Sequence, residues 1–156
     1  MKLIECPRDA MQGFYSFIPT KIKIKYINEL LKVGFDTIDV GSFVSKRQIP
    51  QLADTKEVLQ SINLNDTKSK LLVITGNLRG AEEAAGFDAV TYIGFPFSIS
   101  ETFQKKNINS SINDSLVILD KIQNLCVKKN KKLVTYFYMA FGNTNGDEWS
   151  TYIVAH

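Results

Sequence analysis

Short apolar runs alternate with longer amphipathic stretches along the chain. Leu3 and Ile4 open the first run, which predicts a buried strand over residues 2–6. A helix is expected over 20–33, with Thr20 as its cap, Ile27, Leu30 and Leu31 on its buried face, and Gly34 as its end. Asp-Thr-Ile-Asp-Val, residues 36–40, reads as a second strand, and a loop with Pro50 leads to a helix over 54–62. The run at 70–75 is a third strand, followed by a short helix over 78–85 that Gly86 closes. A fourth strand is expected at 88–94, then a polar connection over 95–113 with a small helix at 101–105. A long helix over 112–129 places Ile112, Leu116, Leu119, Ile122 and Cys126 on one face, before a fifth strand at 132–138. The last segment predicts a helix capped by Asp147, with Trp149, Ile153 and Val154 on its apolar side, running to His156.

Strands alternating with helices are the signature of repeated βα units and a parallel sheet. A chain of 156 residues fits one ordinary domain. There is no internal repeat, low-complexity segment or dividing linker. The final helix has no cap and no following strand, whereas a domain normally ends after its last element has docked. The chain therefore reads as stopping inside an element.

Composition narrows the function classes. Apolar residues make up 44% and charged residues 22%, with 19 basic and 16 acidic side chains giving a net charge of +3. That mild excess does not argue for a nucleic-acid partner, which would call for a dense basic face. The clusters Lys21-Ile-Lys-Ile-Lys25 and Lys128-Lys-Asn-Lys-Lys132 read as solvated helix faces or ends, the alternative being a basic rim for an anionic ligand. Cys6 and Cys126 have no metal or redox spacing; both are expected to be reduced, Cys126 in the core and Cys6 as a small buried strand-end residue. No apolar run reaches membrane-spanning length, and neither a membrane partner nor a signal peptide is expected, the N-terminus reading directly as a strand.

In a parallel sheet the C-terminal strand ends share one face, where α/β proteins build their sites. That places Arg8, Asp9 and Gln12 beside Asp39 and Ser42, Thr75 and Asn77, Ser98 and Ser100, and Tyr138 and Asn143. Asp9 offers hard oxygens to a divalent cation, and Arg8 a fixed cationic fork to a developing oxyanion. Adjacent opposite charges cannot easily satisfy each other along an extended strand, so the Arg8–Asp9 pair stands out as functional. Each of the other polar residues has an ordinary use as a helix cap or turn former. Gly76-Asn-Leu-Arg-Gly80 lacks the Lys-Ser/Thr ending of a phosphate loop. With His156 the only histidine, the chain cannot assemble a several-imidazole metal site or a serine triad.

The motifs in combination resemble the N-terminal half of the hydroxymethylglutaryl-CoA lyases, in the metal-dependent lyase and synthase superfamily built on the (β/α)8 barrel. Glu5-Cys-Pro-Arg-Asp-Ala-Met-Gln12 is similar to the family's Pro-Arg-Asp-Gly-Leu-Gln signature. Ile38-Asp-Val-Gly-Ser-Phe-Val-Ser45 resembles Ile-Glu-x-x-Ser-Phe-Val-Ser, and Ile49-Pro-Gln51 comes next at the matching place. Thr75-Gly-Asn-Leu-Arg-Gly80 resembles Thr-Pro-Asn-Leu-Lys-Gly, and Lys105-Lys-Asn-Ile-Asn-Ser-Ser-Ile112 resembles Lys-Lys-Asn-Ile-Asn-Cys-Ser-Ile.

The resemblance implies an incomplete TIM barrel of about five βα units, with residues 1–156 as the N-terminal part of one catalytic domain. It implies metal-dependent retro-Claisen cleavage of 3-hydroxy-3-methylglutaryl-CoA to acetyl-CoA and acetoacetate, the chemistry of leucine degradation and ketone-body formation. Asp9 would be a ligand of Mg2+ or Mn2+, Arg8 would stabilise the enolate oxygen, and Gln12 and Asn77 would contact substrate. Asp39 stands where the family has glutamate, a catalytic position supporting metal-bound water or substrate, with a reach shorter by about 1.5 Å. The expected partner is an acyl-CoA, with a homodimer for the full-length protein and a cytoplasmic location. A whole barrel needs about 250 residues. The family's late histidine pair, metal-binding asparagine and acid–base cysteine fall beyond His156, so the chain alone is expected to be inactive, with exposed strand edges and poor solubility. Two other architectures or chemistries remain open: a related synthase or aldolase, and a five-stranded doubly wound binding module, whose strand order would reverse once.

Overall fold

The computed structural model describes residues 1–155. Its five strands pair in the order β1 (Ile4–Glu5), β2 (Thr37–Ser42), β3 (Lys70–Ile74), β4 (Val90–Ser98) and β5 (Lys132–Tyr138), every neighbour parallel. Sequential order without reversal rules out the doubly wound alternative and gives a half-barrel. Among the described residues seven α-helices accompany the strands: α1 (Pro7–Gln12), α2 (Thr20–Val33), α3 (Thr55–Ser61), α4 (Leu78–Ala85), α5 (Glu101–Ile108), α6 (Ile112–Lys128) and α7 (Thr151–Ala155), with one 3-10 turn at Pro50–Leu52.

Alternation along the strands sorts residues onto two faces. Ile38 and Val40 of β2, Leu71 and Val73 of β3, and Phe95 and Phe97 of β4 join Ile27, Leu31, Val58, Leu59, Ala81, Ala84, Ile122 and Cys126 of the helices in a single buried cluster. The helices thus cover one face of the sheet. The intervening residues Asp39, Leu72, Gly94 and Tyr136 lie on the other, concave face, whereas the register shift after Asp39 turns Gly41 to the helix side. A Cβ on Gly94 would sit 3.1 Å from the Tyr136 ring. At Gly41, where the β2–β3 register shifts, a Cβ would lie 2.5 Å from Thr55 Cγ2, so α3 packs directly on the strand backbone.

The strand and helix expectations hold for most elements, with informative exceptions. Leu3 and Ile4 are 57% and 55% exposed rather than buried, because β1 is an edge strand of an open sheet. Pro19, not Thr20, precedes α2, and no side chain caps that helix. β4 continues to Ser98, so Phe95–Ser98 is strand rather than polar loop. On α6 the buried stripe is Ser115, Ile122 and Cys126, while Leu116 is half exposed on the side next to the unpaired edge of β5. The final helix is shorter than its pattern suggests, and Asp147 does not cap it. His156 lies outside the described residues. Lys23, expected in solvent, is buried at 1% exposure, whereas its neighbours Lys21 and Lys25 are exposed.

Candidate active site at the strand ends

β1 ends at Glu5, and the chain turns at once into α1. Pro7 suits the first helical position, where no amide hydrogen is needed. The Cys6 carbonyl accepts from the amides of Asp9 and Ala10 at 3.1 and 3.3 Å. Arg8 and Asp9 therefore sit on a helical turn, not along an extended strand, and they do satisfy each other in part. Arg8 Nη1 donates to Asp9 Oδ1 at 2.9 Å and to Gln12 Oε1 at 3.1 Å. Arg8 Nε and Nη2 both donate to Asp39 Oδ2, at 3.0 and 2.7 Å. All three guanidinium nitrogens are engaged, and the side chain is held in one orientation. Four sequence-predicted residues, Arg8, Asp9, Gln12 and Asp39, thus form one connected unit.

Their exposures differ sharply. Asp39 is fully buried, Arg8 is nearly so, and the Asp9 side chain is 73% exposed. Asp39 Oδ1 has no hydrogen-bond partner among the described residues. A buried carboxylate oxygen without a donor is costly. Burial pushes the Asp39 carboxyl above its ordinary range, against the opposing pull of Arg8. Burial works against the charge on Arg8, but hydrogen bonding and the charge of Asp39 outweigh it and keep the guanidinium protonated.

Tyr136 was not among the sequence candidates. Its phenol is pushed up to about 12, by burial first and then by the negative charge of Asp39. The period-2 alternation of β5, which turns Tyr136 and Tyr138 to the same face, is the signal that could have found it. Tyr138 stacks on Phe103 with ring centroids 5.5 Å apart. Cys6 is exposed rather than buried as a residue, but partial desolvation of its thiol, with the Asp39 charge, raises its pKa, so it is a poor nucleophile.

The remaining strand-end residues do structural work. Ser42 Oγ accepts from the Val44 amide, and Thr75 Oγ1 donates to the Gly94 carbonyl. Asn77 caps α4 by accepting from the Gly80 amide at 2.9 Å. Ser98 Oγ bridges the Ser100 amide and the Tyr138 carbonyl, and Asn143 braces the turn before Asp147. Asp147 reaches across to α5: it accepts from Ser100 Oγ, from the Thr102 amide at 2.9 Å and from Thr102 Oγ1 at 2.8 Å. These bonds, the Ser100 one foremost, hold its carboxyl below the usual range. A carboxylate depressed on folding stabilises the fold above its ordinary pKa, and the stabilisation is lost as pH falls through the depressed value. Asp147→Asn is accordingly expected to lower the urea midpoint at neutral pH, with the gap from the parent closing in acid. A gap that stayed constant with pH would contradict this assignment.

Asp9 has the chemistry of a hard-cation ligand: one oxygen meets Arg8, and the other makes no hydrogen bond among the described residues. It fits as a single ligand. Among the described residues no three His, Cys, Asp or Glu side chains come together as a cation cage.

No family model matches the chain. Among curated proteins it is 42% identical over 127 residues to the mitochondrial hydroxymethylglutaryl-CoA lyase of Gallus gallus, covering 80% of this chain and 41% of that one. It is 36% identical over 143 residues to the cytoplasmic 3-hydroxy-3-methylglutaryl-CoA lyase of Rattus norvegicus, covering 91% of this chain and 41% of that one. Among solved structures, the HMG-CoA lyase of Bacillus subtilis superposes with a TM-score of 0.90 at 32% identity, over 98% of this chain and 51% of that chain. The chain belongs to the hydroxymethylglutaryl-CoA lyase family. A further HMG-CoA lyase, from Acinetobacter baumannii and in complex with coenzyme A and 3-methylmalate, superposes over 99% of this chain and 50% of that chain, with a TM-score of 0.90 at 28% identity. The chain spans about half the length of these hydroxymethylglutaryl-CoA lyases, in keeping with a sheet of five strands whose two edges are unpaired.

Proposed function

We propose that this chain supplies the first half of a hydroxymethylglutaryl-CoA lyase site, for cleavage of 3-hydroxy-3-methylglutaryl-CoA to acetyl-CoA and acetoacetate. The observation that carries the reading is Arg8, locked by Asp39, Asp9 and Gln12 at the C-terminal ends of parallel strands. In the reaction the tertiary hydroxyl loses its proton and becomes the ketone of acetoacetate. The bond between C2 and C3 breaks, and its electron pair moves onto the thioester as an enolate. The enolate carbon then takes a proton to give acetyl-CoA.

Arg8 is the oriented cation for that enolate oxygen. Because Asp39 already fixes the guanidinium, no reorganisation is needed when charge develops. The unmatched Asp39 Oδ1 would accept a hydrogen bond from substrate or from a water that substrate orders. Gln12 lies beside Arg8 to position the acyl group. Asn77 has its oxygen committed to the Gly80 amide, which leaves its amide nitrogen for an acyl-CoA. Asp9 would be one ligand of Mg2+ or Mn2+, and such a cation, when bound, makes the substrate hydroxyl easier to deprotonate. The complex of one structural relative with coenzyme A supports an acyl-CoA ligand. The cytoplasmic relatives support a cytoplasmic location, although mitochondrial relatives match as well.

The test is complementation. The chain is fused to, or mixed with, the C-terminal three βα units of a hydroxymethylglutaryl-CoA lyase, and acetoacetate is measured with Mg2+ or Mn2+ present. The completed protein is expected to form acetoacetate, and the 156-residue chain alone to form none. A well-folded completed barrel that does not cleave this substrate would refute the reading.

A further inference from the structure

The loop between α1 and α2 has no regular structure of its own, yet one buried side chain grips its backbone at three points. Gln51, in the 3-10 turn, is 5% exposed. Its Oε1 accepts from the Ile18 amide at 2.8 Å. Its Nε2 donates to the Ser16 carbonyl at 2.9 Å and to the Phe14 carbonyl at 3.3 Å. Gln51 is itself held from behind. The buried Lys23 ammonium donates to the Gln51 carbonyl and to both Asp54 oxygens, at 2.7 and 3.0 Å, and lies 4.1 Å from the centre of the Phe17 ring.

The gripped loop continues directly from the helix that bears Arg8 and Asp9. The Phe14 amide donates to the Met11 carbonyl at 3.1 Å, so the last turn of α1 runs into the first gripped residue. With six residues, α1 is too short to be stable by itself. It has no side-chain cap at its N-terminus, and Gly13 gives no left-handed stop at its end. Its orientation must come from outside. Arg8–Asp39 fixes its first turn, and the Gln51 bonds fix the loop into which its last turn runs.

We propose that Gln51 is a positioning residue for the candidate site, with Lys23 and Asp54 as its support. By fixing the exit of α1 it sets the position at which Arg8 meets Asp39 and Asp9 reaches the mouth of the half-barrel. The proposal rests on the reading of Arg8 and Asp9 as site groups, but its test needs neither substrate nor metal.

Gln51→Met keeps the side-chain length, removes the three hydrogen bonds and changes no charge. In the 15N-labelled chain, hydrogen exchange is followed at Arg8 Nε–H, at the Ile18 amide and at the core amides of Leu72 and Ile93. The expected result is exchange at least tenfold faster at both Arg8 Nε–H and Ile18, with the core amides unchanged. Gln51→Glu keeps an acceptor for Ile18 and loses the two donors, so it is expected to fall between parent and Gln51→Met. It also carries the test if Gln51→Met does not fold. Arg8 Nε–H unchanged while Ile18 speeds up would overturn the proposal, and so would equal acceleration of every amide, which marks general destabilisation. Failure of the lyase reading would appear in the complementation assay and leave these exchange rates as they are.

Discussion

Arg8→Met is expected to destabilise the fold by about 3–5 kcal/mol, the usual consequence of removing one member of a buried ion pair. The loss comes from the group left behind. Asp39 is fully buried, its Oδ1 already lacks a partner, and both hydrogen bonds to Oδ2 come from Arg8. Without the guanidinium, only the weaker pull of the Gly41 backbone amide opposes burial of a carboxyl that already sits above its ordinary range. A carboxyl raised on folding binds its proton more tightly in the folded state, so stability falls as pH rises between the ordinary and raised values. The deficit of Arg8→Met relative to the parent should therefore shrink as pH is lowered from 7, as read by urea denaturation. The double variant Arg8→Met/Asp39→Leu removes the stranded charge and should regain most of the lost stability. In the completed barrel it should still have lost activity, by at least about 100-fold if Arg8 is the enolate's oriented cation. A stable double variant that cleaves the acyl-CoA at near the parent rate would remove Arg8 from the mechanism.

Much of the fold was legible because a βα alternation carries two periods at once. Strand three, the helix at 78–85 and the fifth strand lie where their patterns put them. The misses have local physical causes. Leu3 and Ile4 have the pattern of a buried strand because such patterns describe the complete sheet, and here β1 has a neighbour on one side only. Leu116 obeys the helical period but faces the unpaired edge of β5, for the same reason. Asp147 looked like the cap of the helix just after it, since capping patterns are read locally. Its carboxylate instead serves α5, 45 and 47 positions away in the chain. In the site, the strand-end rule brought Arg8, Asp9, Gln12 and Asp39 together. It could not separate them from Ser98, Ser100 and Asn143, whose hydrogen bonds are all committed to caps and turns. Residue type says what a side chain can bond to, and only the folded backbone says what lies within reach.

Lys23 gives the sharpest contrast between sequence and surroundings. Lys21, Lys23 and Lys25 form one basic run, but Lys23, Ile27 and Leu31 recur at four-residue intervals and share the buried face of α2. Lys23→Met is expected to cost about 3–5 kcal/mol, because it leaves the Asp54 carboxylate without its cation beside the Gln51 carbonyl. Phe17 would lose its cation at the same time, a contact worth about 1 kcal/mol in such a setting. Lys21→Met and Lys25→Met, on the solvated face, should each stay within about 0.5 kcal/mol of the parent. Methionine matches the lysine stem in volume, so the difference reports the ion pair and its hydrogen bonds rather than a cavity. Lys23→Met/Asp54→Leu removes both charges and should recover a large part of the loss. If urea denaturation found the three single variants equal, the buried pair would contribute nothing net, and Lys23 would be an ordinary solvent-compatible lysine on a covered helix.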